Sequence, residues 1–235
     1  MIRADALPGA VADPGAALST LLPDPLRKAR LSLNLLGRAP EPGCSKTRLI
    51  PTLGPLGAAQ AHAALLTHVA RVARNWCAVP ESGRLFRLWG TPDFASPLLA
   101  DLANESQRRI QPEGDLGERL DWIARAGLAE AEMALLLGGD APSVDSATLD
   151  LAEHRLSSHA ALLVPARDGG YVLLGLRDHA RQLFADIPWG SDRVAERTRE
   201  ILRELAWSWE EIPGHWDVDR IEDWERFIAL HKLVR

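Results

Sequence analysis

An aspartate between small residues follows one of the most apolar runs of this 235-residue chain. The run Met133–Leu137 predicts a buried strand, and the segment Gly138–Pro142 (GGDAP) comes directly after it. Ligands of open α/β sheets bind just outside the carboxyl ends of strands, and glycine admits close backbone approach. Asp140 is therefore a candidate ligand for a metal ion that carries a phosphorylated molecule. The alternative is a strand-to-helix turn in which Asp140 caps a helix near residues 145–152.

A second candidate loop, Pro42–Leu49, contains Gly43, Lys46 and Arg48. The Lys-Thr pair is similar to a P-loop, but that pattern requires glycine directly before the lysine, where this chain has Ser45. Backbone N–H groups and two cations at a helix start favour a phosphate or another anion. A solvated surface turn is the alternative.

A third loop places Asp168 before Gly169, Gly170 and Tyr171. Two glycines allow positive φ or a close approach to a ligand, so Asp168 is a candidate to contact a sugar hydroxyl, a nucleophile or the metal. Asp-Gly is also the strongest hairpin signal, and a tight hairpin turn is the alternative. Trp189, between a proline and a glycine, is a candidate wall of an acceptor pocket.

Asp217 and Asp219 alternate in an extended segment before the last predicted helix, so both point to the same side. Two carboxylates on one side suit Mg²⁺ or Mn²⁺. Alternatively, Asp219 is the N-cap of that helix. Trp216 is expected to pack in the core, with stacking on a base or sugar as the alternative. Core packing is also the expected role of Trp122, Trp207, Trp209 and Trp224.

Strand-length apolar runs alternate with helical periodicity after residue 30. Strands are predicted at 31–36, 85–89, 108–111, 133–137, 160–164, 171–176 and 207–212, and helices at 55–75, 97–103, 116–130, 146–157, 193–205 and 221–231. This alternation predicts a three-layer α/β/α sandwich with a mostly parallel central sheet, as one domain over residues 30–235. Residues 1–29, rich in Ala, Pro and Asp, are expected to form an extension with a short helix near 16–22.

Composition excludes several classes of protein. Hydrophobic residues make up 46% and charged residues 25%, which is ordinary globular usage. The net charge of −5 argues against a nucleic-acid partner, and no apolar run approaches the roughly 20 residues that span a bilayer. Two cysteines without CxxC spacing argue against a disulfide scaffold or a structural zinc site, and a cytoplasmic location is expected.

Six motifs in this order resemble the DUF2064 family. They are Pro42–Leu49, Gly114–Arg119, Gly138–Pro142, Asp168–Leu176, Pro188–Trp189 and Asp217–Asp219, and they span nearly everything after residue 30. The resemblance implies a GT-A-like, nucleotide-diphospho-sugar transferase fold, with a nucleotide site over the carboxyl ends of the first strands. Molybdenum-cofactor nucleotidyltransferases look like more distant relatives.

The resemblance also implies roles for the motif residues. Lys46 and Arg48 would contact the nucleotide phosphates, Asp140 would hold the divalent metal, and Asp219 or Asp217 would complete its shell. Where the family has Thr-Asp-Cys-Pro, this chain has Gly139 to Pro142, which removes a hydroxyl and a thiol beside the carboxylate. Further candidates for the phosphate site are Arg38 and Gly43, and those for the acceptor pocket are Gly169, Gly170, Tyr171 and Trp189.

Together, these residues predict a metal-dependent transferase that moves a sugar from a nucleotide-sugar to a small-molecule acceptor. Asp168 is the candidate base for the acceptor hydroxyl. The nearest alternative is nucleotidyl transfer, which releases pyrophosphate from a nucleoside triphosphate. An alternative of another class is a protein with a degenerate site that binds a nucleotide or a partner without turnover.

Overall fold

The computed structural model describes residues 28–232. Its strands are β1 (Ala29–Arg38), β2 (Arg84–Thr91), β3 (Arg108–Ile110), β4 (Ala131–Gly138), β5 (Ala161–Pro165), β6 (Tyr171–Leu176) and β7 (Trp209–Glu211). Its α-helices are α1 (Ile50–Cys77), α2 (Pro97–Leu102), α3 (Leu116–Glu130), α4 (Ser146–Leu156), α5 (Val194–Glu204) and α6 (Ile221–Lys232).

The seven described strands form one sheet in the order β3-β2-β1-β4-β6-β5-β7. Strand β1 pairs in parallel with β2 and with β4, whereas β6 is antiparallel to both β4 and β5. The mostly parallel sheet is therefore confirmed. Because the chain leaves β1 toward β2 and later returns to the other side of β1 with β4, the strand order reverses between β1 and β4. Such a reversal is the usual ligand site of an open α/β sheet.

Both faces of the sheet are buried, which explains the unbroken apolar run of β4. Met133, Leu135 and Leu137 pack with α1, α2 and α4 on one face. Ala134 and Leu136 pack with α3 and α5 on the other. Because side chains alternate along a strand, a strand buried on both faces must be apolar throughout. The predicted α/β/α layering is confirmed.

The first helix differs from its prediction at the N-terminal end. Helix α1 begins at Ile50, but Gly54 interrupts it with φ 69° and ψ 169°. Glycine adopts this left-handed φ without a side-chain clash. Pro55, the predicted start, opens the regular part of the helix, where its missing N–H is not needed.

The prediction of a packing role for Trp122 is wrong. Its side chain is 46% exposed on α3, with an edge contact to Trp89 at 5.4 Å between ring centroids.

The predicted extension lies, up to residue 27, outside the described residues, as does the predicted helix near 16–22, and β1 already begins at Ala29. None of the helices within residues 28–232 combines the length and apolarity needed to cross a membrane.

Candidate active site

Lys46 and Asp140, 94 residues apart, meet where the strand order reverses. Lys46 follows β1 with a left-handed φ of 47°, and its Nζ donates to Oδ2 of Asp140 at 2.7 Å. The Lys46 side chain is only 8% exposed. Burial disfavours the charged form of each group. The opposite charge of the partner and the hydrogen bond between them favour it, and together with nearby charges they outweigh burial, so the pKa of Lys46 is raised and that of Asp140 is lowered. The pair is therefore ionised at neutral pH.

The turn that carries Asp140 depends on its glycines. A side chain at Gly139 would meet the carbonyl oxygen of Leu36 at 2.6 Å, so β1 and this turn touch through backbone. The Asp140 carbonyl accepts from the N–H of Val218 at 3.1 Å, which draws the C-terminal segment to the turn. The helix cap is Asp145, whose carboxylate accepts from the Thr148 N–H, so the alternative role of Asp140 as a cap is wrong.

Asp219 also faces cations rather than a helix start. Its carboxylate contacts Arg48, and its Oδ1 lies 3.8 Å from Lys46 Nζ. The backbone N–H groups of Asp219 and Arg220 donate instead to the carboxylate of Asp223, in the first turn of α6. The alternative of Asp219 as N-cap is therefore also wrong, and its carboxylate belongs to the cluster around Lys46.

Asp217 is the carboxyl group of the cluster whose pKa is raised. Burial, together with the negative charges of Asp140 and Asp168, raises its pKa to about 7. The two neighbours come from the β4 and β5–β6 loops, so three acidic loops converge here. Carboxylates held this close repel one another, and a bound cation would relieve that repulsion.

Asp168 lies in the tight hairpin between the antiparallel strands β5 and β6. Its Oδ1 accepts from the Gly170 N–H at 2.9 Å, so the hairpin alternative is correct as a description of the backbone. Gly169 has φ 90°, and a side chain there would meet the Asp192 carbonyl at 2.1 Å. This close approach brings the loop of Trp189 beside Asp168.

Two cavities adjoin the cluster. One, of about 430 Å³, is lined by Arg48, Asp168, Asp217 and Asp219 among others. The second, of about 210 Å³, is lined by Tyr171 and Trp189, whose rings meet edge to face at 6.2 Å, and by Asp168 and Gly170. Three of the four predicted acceptor residues, Gly170, Tyr171 and Trp189, thus line one cavity beside the cluster, whereas Gly169 does not line it.

Two of the predicted phosphate-site residues lie apart from the carboxylates. No side-chain contact joins Arg38 to the three metal-ligand candidates within residues 28–232, and its carbonyl instead bonds the His62 ring at 3.1 Å. Gly43 is exposed with φ 84°, in the open part of the loop. Of the four candidates, Lys46 and Arg48 are therefore the two that reach the aspartates.

Two residues that shape this site, His62 and Ser143, were not among those predicted from the sequence. His62 projects from α1 and interacts electrostatically with Asp140, and burial lowers its pKa. Ser143 Oγ donates to the Trp216 carbonyl at 2.6 Å and accepts from the Trp216 N–H at 2.9 Å. Trp216 itself is buried, as predicted. The only signal for Ser143 was its position just after Pro142, and for His62 its place beside the buried face of α1.

The cluster fits a divalent cation in charge and donor type but is not a preassembled cage. Asp140, Asp217 and Asp219 supply the hard oxygen donors that Mg²⁺ and Mn²⁺ favour. Over residues 28–232, however, no three or more Asp, Glu, His or Cys side chains are grouped so that they could hold a metal ion. Lys46 also stands between two of the carboxylates. A metal here would need ligands from a bound molecule.

Comparison with known families supports the resemblance. Residues 79–191 match the DUF2064 family, described as an uncharacterized protein conserved in bacteria. The match includes the motifs at 114–119, 138–142, 168–176 and 188–189, whereas those at 42–49 and 217–219 lie outside it. The sequence matches none of the curated proteins with which it was compared.

Solved structures share the fold. A provisionally assigned nucleotide-diphospho-sugar transferase from Desulfovibrio desulfuricans G20 is 25% identical, with a TM-score of 0.72 over 81% of this chain and 83% of that one. A 4-diphosphocytidyl-2C-methyl-D-erythritol synthase from Anaerococcus prevotii DSM 20548 is 11% identical, with a TM-score of 0.52 over 88% and 99%. A CMP:2-keto-3-deoxy-manno-octonic acid synthetase complexed with CTP is also 11% identical, with a TM-score of 0.53 over 88% and 100%.

Proposed function

We propose that this chain, whose residues 79–191 match the DUF2064 family, is a transferase that uses a nucleotide-sugar donor and a divalent cation. The observation that carries the proposal is the meeting of Lys46 with Asp140, Asp217 and Asp219 at the strand-order reversal. The similarity to the Desulfovibrio protein supports a nucleotide-diphospho-sugar substrate. We further propose that residues 30–235 form the single catalytic domain.

In this proposal the diphosphate of the donor lies over the loop after β1. Asp140, Asp217 and Asp219 would hold Mg²⁺ or Mn²⁺, which supplies positive charge to the departing diphosphate. Lys46 and Arg48 contribute cations beside the same carboxylates, and Arg38 and Gly43 are further candidates for contacts with the phosphates. Charges positioned where negative charge develops are a large term in such catalysis.

Asp168 is the proposed base for the acceptor hydroxyl. Its carboxylate lines both cavities, so it faces the proposed donor region and the proposed acceptor pocket together. The hydrogen bond from the Gly170 N–H fixes one of its oxygens and leaves the other available. Gly170, Tyr171 and Trp189 would form the adjoining part of the acceptor pocket, and Gly169 would hold the hairpin close to the Asp192 backbone.

Nucleotidyl transfer is the second candidate. It is supported by the likeness in fold to a synthetase whose structure contains CTP. The same carboxylates and cations would then serve attack on the α-phosphate, with pyrophosphate as the leaving group. The candidate of another class is a binding protein without turnover, for which the internal Lys46–Asp140 pair is the supporting observation.

Calorimetry on the full chain separates these candidates. Nucleotide-sugars and nucleoside triphosphates are titrated with Mn²⁺ present, and the products are then analysed. A nucleoside mono- or diphosphate with a glycosylated acceptor supports the proposal, pyrophosphate release supports the second candidate, and binding without turnover supports the third.

Asp140→Asn tests the site itself. It should weaken Mn²⁺-dependent nucleotide binding by at least about tenfold because it removes one anionic metal ligand. Asp150→Asn is the control, since Asp150 lies on α4 with its side chain 62% exposed. If no nucleotide binds the wild type, or if Asp140→Asn binds and reacts as well as wild type, the proposal is wrong.

A further inference from the structure

The smaller of the two cavities beside the carboxylates has mostly apolar walls. Its volume is about 210 Å³, below the range of roughly 300–1,000 Å³ that is common for sites of drug-sized ligands. That space suits a compound of about one ring rather than a chain of several. The aliphatic residues that line it are Leu36, Leu116, Leu120, Leu136, Leu137, Val172 and Val194.

The polar groups of this cavity are gathered at one end. Asp168, Gly190 and Ser191 line it and also line the cavity that contains Asp217 and Asp219. The polar end therefore opens onto the proposed reaction centre, whereas the apolar part extends away from it toward α3. A ligand that fills this space meets hydrogen-bonding groups chiefly at the end nearest the carboxylates.

Tyr171 adds a further polar group to the wall. Its hydroxyl is buried and has no hydrogen-bond partner within residues 28–232. Buried polar atoms are usually paired, and each exception requires an explanation. A hydroxyl on a bound ligand is a natural partner, reached by a small movement of the Tyr171 and Trp189 rings, which touch only edge to face.

From this arrangement we infer that the acceptor is a compact alcohol or phenol with an apolar body, held in this cavity with its hydroxyl toward Asp168. The inference rests on the proposed function and names its acceptor class. A sugar of the same size carries several hydroxyls that these walls would leave unpaired, and unpaired polar groups in an apolar site oppose binding. An apolar body instead gains binding free energy from each apolar wall that it covers.

The reaction balances without any further reactant. The acceptor oxygen bonds to the anomeric carbon while the bond from that carbon to the diphosphate oxygen breaks. The nucleoside diphosphate leaves with the electron pair of the broken bond, and the hydroxyl proton passes to the Asp168 carboxylate and then to solvent. The product is the glycoside of the alcohol.

A matched pair of substitutions tests the cavity. Leu116→Trp should fill it, because Leu116 stands at its rim with 45% exposure and a larger ring there need not disturb the core. Leu151→Trp makes the same change on α4, where Leu151 is 37% exposed and does not line this cavity. Thermal unfolding of both variants checks that each folds as wild type does.

Ligand-detected NMR on the full chain measures the binding of 4-ethylphenol, cyclohexylmethanol and methyl α-glucoside. The two apolar alcohols should bind at least about tenfold tighter than the glucoside, and Leu116→Trp should weaken them about tenfold while Leu151→Trp does not. Equal binding of the glucoside, or binding unaffected by Leu116→Trp, would overturn the inference. Nucleotide calorimetry, run separately, reports on the proposed function: if nucleotide binds while the alcohols do not, the acceptor class alone is wrong.

Discussion

The ammonium of Lys46 lies 2.7 Å from Asp140 and 3.8 Å from Asp219, so the protein places a cation of its own between two candidate metal ligands. A divalent ion that binds both carboxylates must displace this ammonium. A phosphate group that draws Lys46 away would ease that displacement. Metal and nucleotide are therefore expected to bind with positive coupling, each strengthening the other by the same factor.

Lys46→Met tests this competition. In the absence of nucleotide, the variant should bind Mn²⁺ about tenfold more tightly than wild type, because the metal no longer competes with the ammonium. With nucleotide present, the gain should shrink or reverse, since Lys46 then contacts phosphate. Mn²⁺ titration followed by electron paramagnetic resonance measures both. Lys28→Met is the control, since Lys28 precedes β1, at the opposite end of that strand from Lys46, and donates to the Leu128 carbonyl. Unchanged Mn²⁺ affinity in Lys46→Met would contradict the expected competition.

Asp217 predicts a pH dependence of stability. Its pKa is about 7 in the folded protein against 3.8 for an ordinary aspartate, so between these values the folded state binds more protons than the unfolded state. The free energy of unfolding contributed by this group therefore falls as pH rises from about 4 to about 7. Asp217→Asn removes this pH dependence. With a chelator present, its melting temperature should therefore rise relative to that of wild type as pH increases from about 4 to about 7. A difference independent of pH would show that Asp217 is not strained in this way.

Gly169→Ala should destabilise the Asp168 hairpin by more than its backbone angle explains. An alanine at this position would have to keep a φ of 90°, and its Cβ would also lie 2.1 Å from the carbonyl oxygen of Asp192. Gly214 has φ 95° and no atom within 4 Å of the place a Cβ would take, so Gly214→Ala isolates the cost of the angle alone. Urea unfolding should show a loss of about 1–2 kcal/mol for Gly214→Ala and about 2–4 kcal/mol for Gly169→Ala. Equal losses would mean that the Asp192 loop moves aside freely.

A buried ion pair beneath α4 gives a prediction independent of the site. Glu153 is 4% exposed in its side chain, and Arg84 Nε donates to its Oε2 at 3.1 Å. Glu153→Gln should lower the free energy of unfolding by about 1–3 kcal/mol, because the guanidinium of Arg84 loses the buried one of its two anionic partners. Asp150→Asn alters the exposed partner of the same Arg84 and should cost no more than about 1 kcal/mol. Chemical denaturation of both variants measures the two losses in free energy of unfolding. Equal losses would show that burial of the carboxylate does not determine its contribution.

Local patterns were sufficient for most of the fold. Helix α3 was predicted at Leu116–Glu130 and is found there, because the capping box of Asp115 and Glu118 defines its start. Strand β6 was predicted at Tyr171–Leu176 and is found there too, since the turn glycines before it are unambiguous. Predicted and observed boundaries differ where pairing with a neighbouring strand sets the end of an element. Strand β1, for example, extends to Arg38 because it pairs with β2 up to that residue.

The candidate site was only partly predictable for the same reason. The sequence marked Lys46, Asp140, Asp168 and Asp219 as unusual, and the structure brings their loops to one edge of the sheet. It did not reveal that Lys46 pairs with Asp140, nor that His62 lies beside them. Contacts between segments 94 residues apart depend on strand order, which no local pattern contains.

The amino-acid sequence was sufficient to predict the alternation of strands and helices, the apolar character of β4 and the acidic loops after strands. These follow from side-chain periodicity and from glycine and proline, which act within a few residues. Tertiary structure alone decided whether Asp140 and Asp219 are caps or members of a charged cluster. Asp145 and Asp223 take the backbone N–H groups at the two helix starts, which leaves Asp140 and Asp219 facing Lys46. Whether a carboxylate binds the N–H groups of a helix start or a cation depends on which of them lies within hydrogen-bond distance. Those distances are set only when the chain folds.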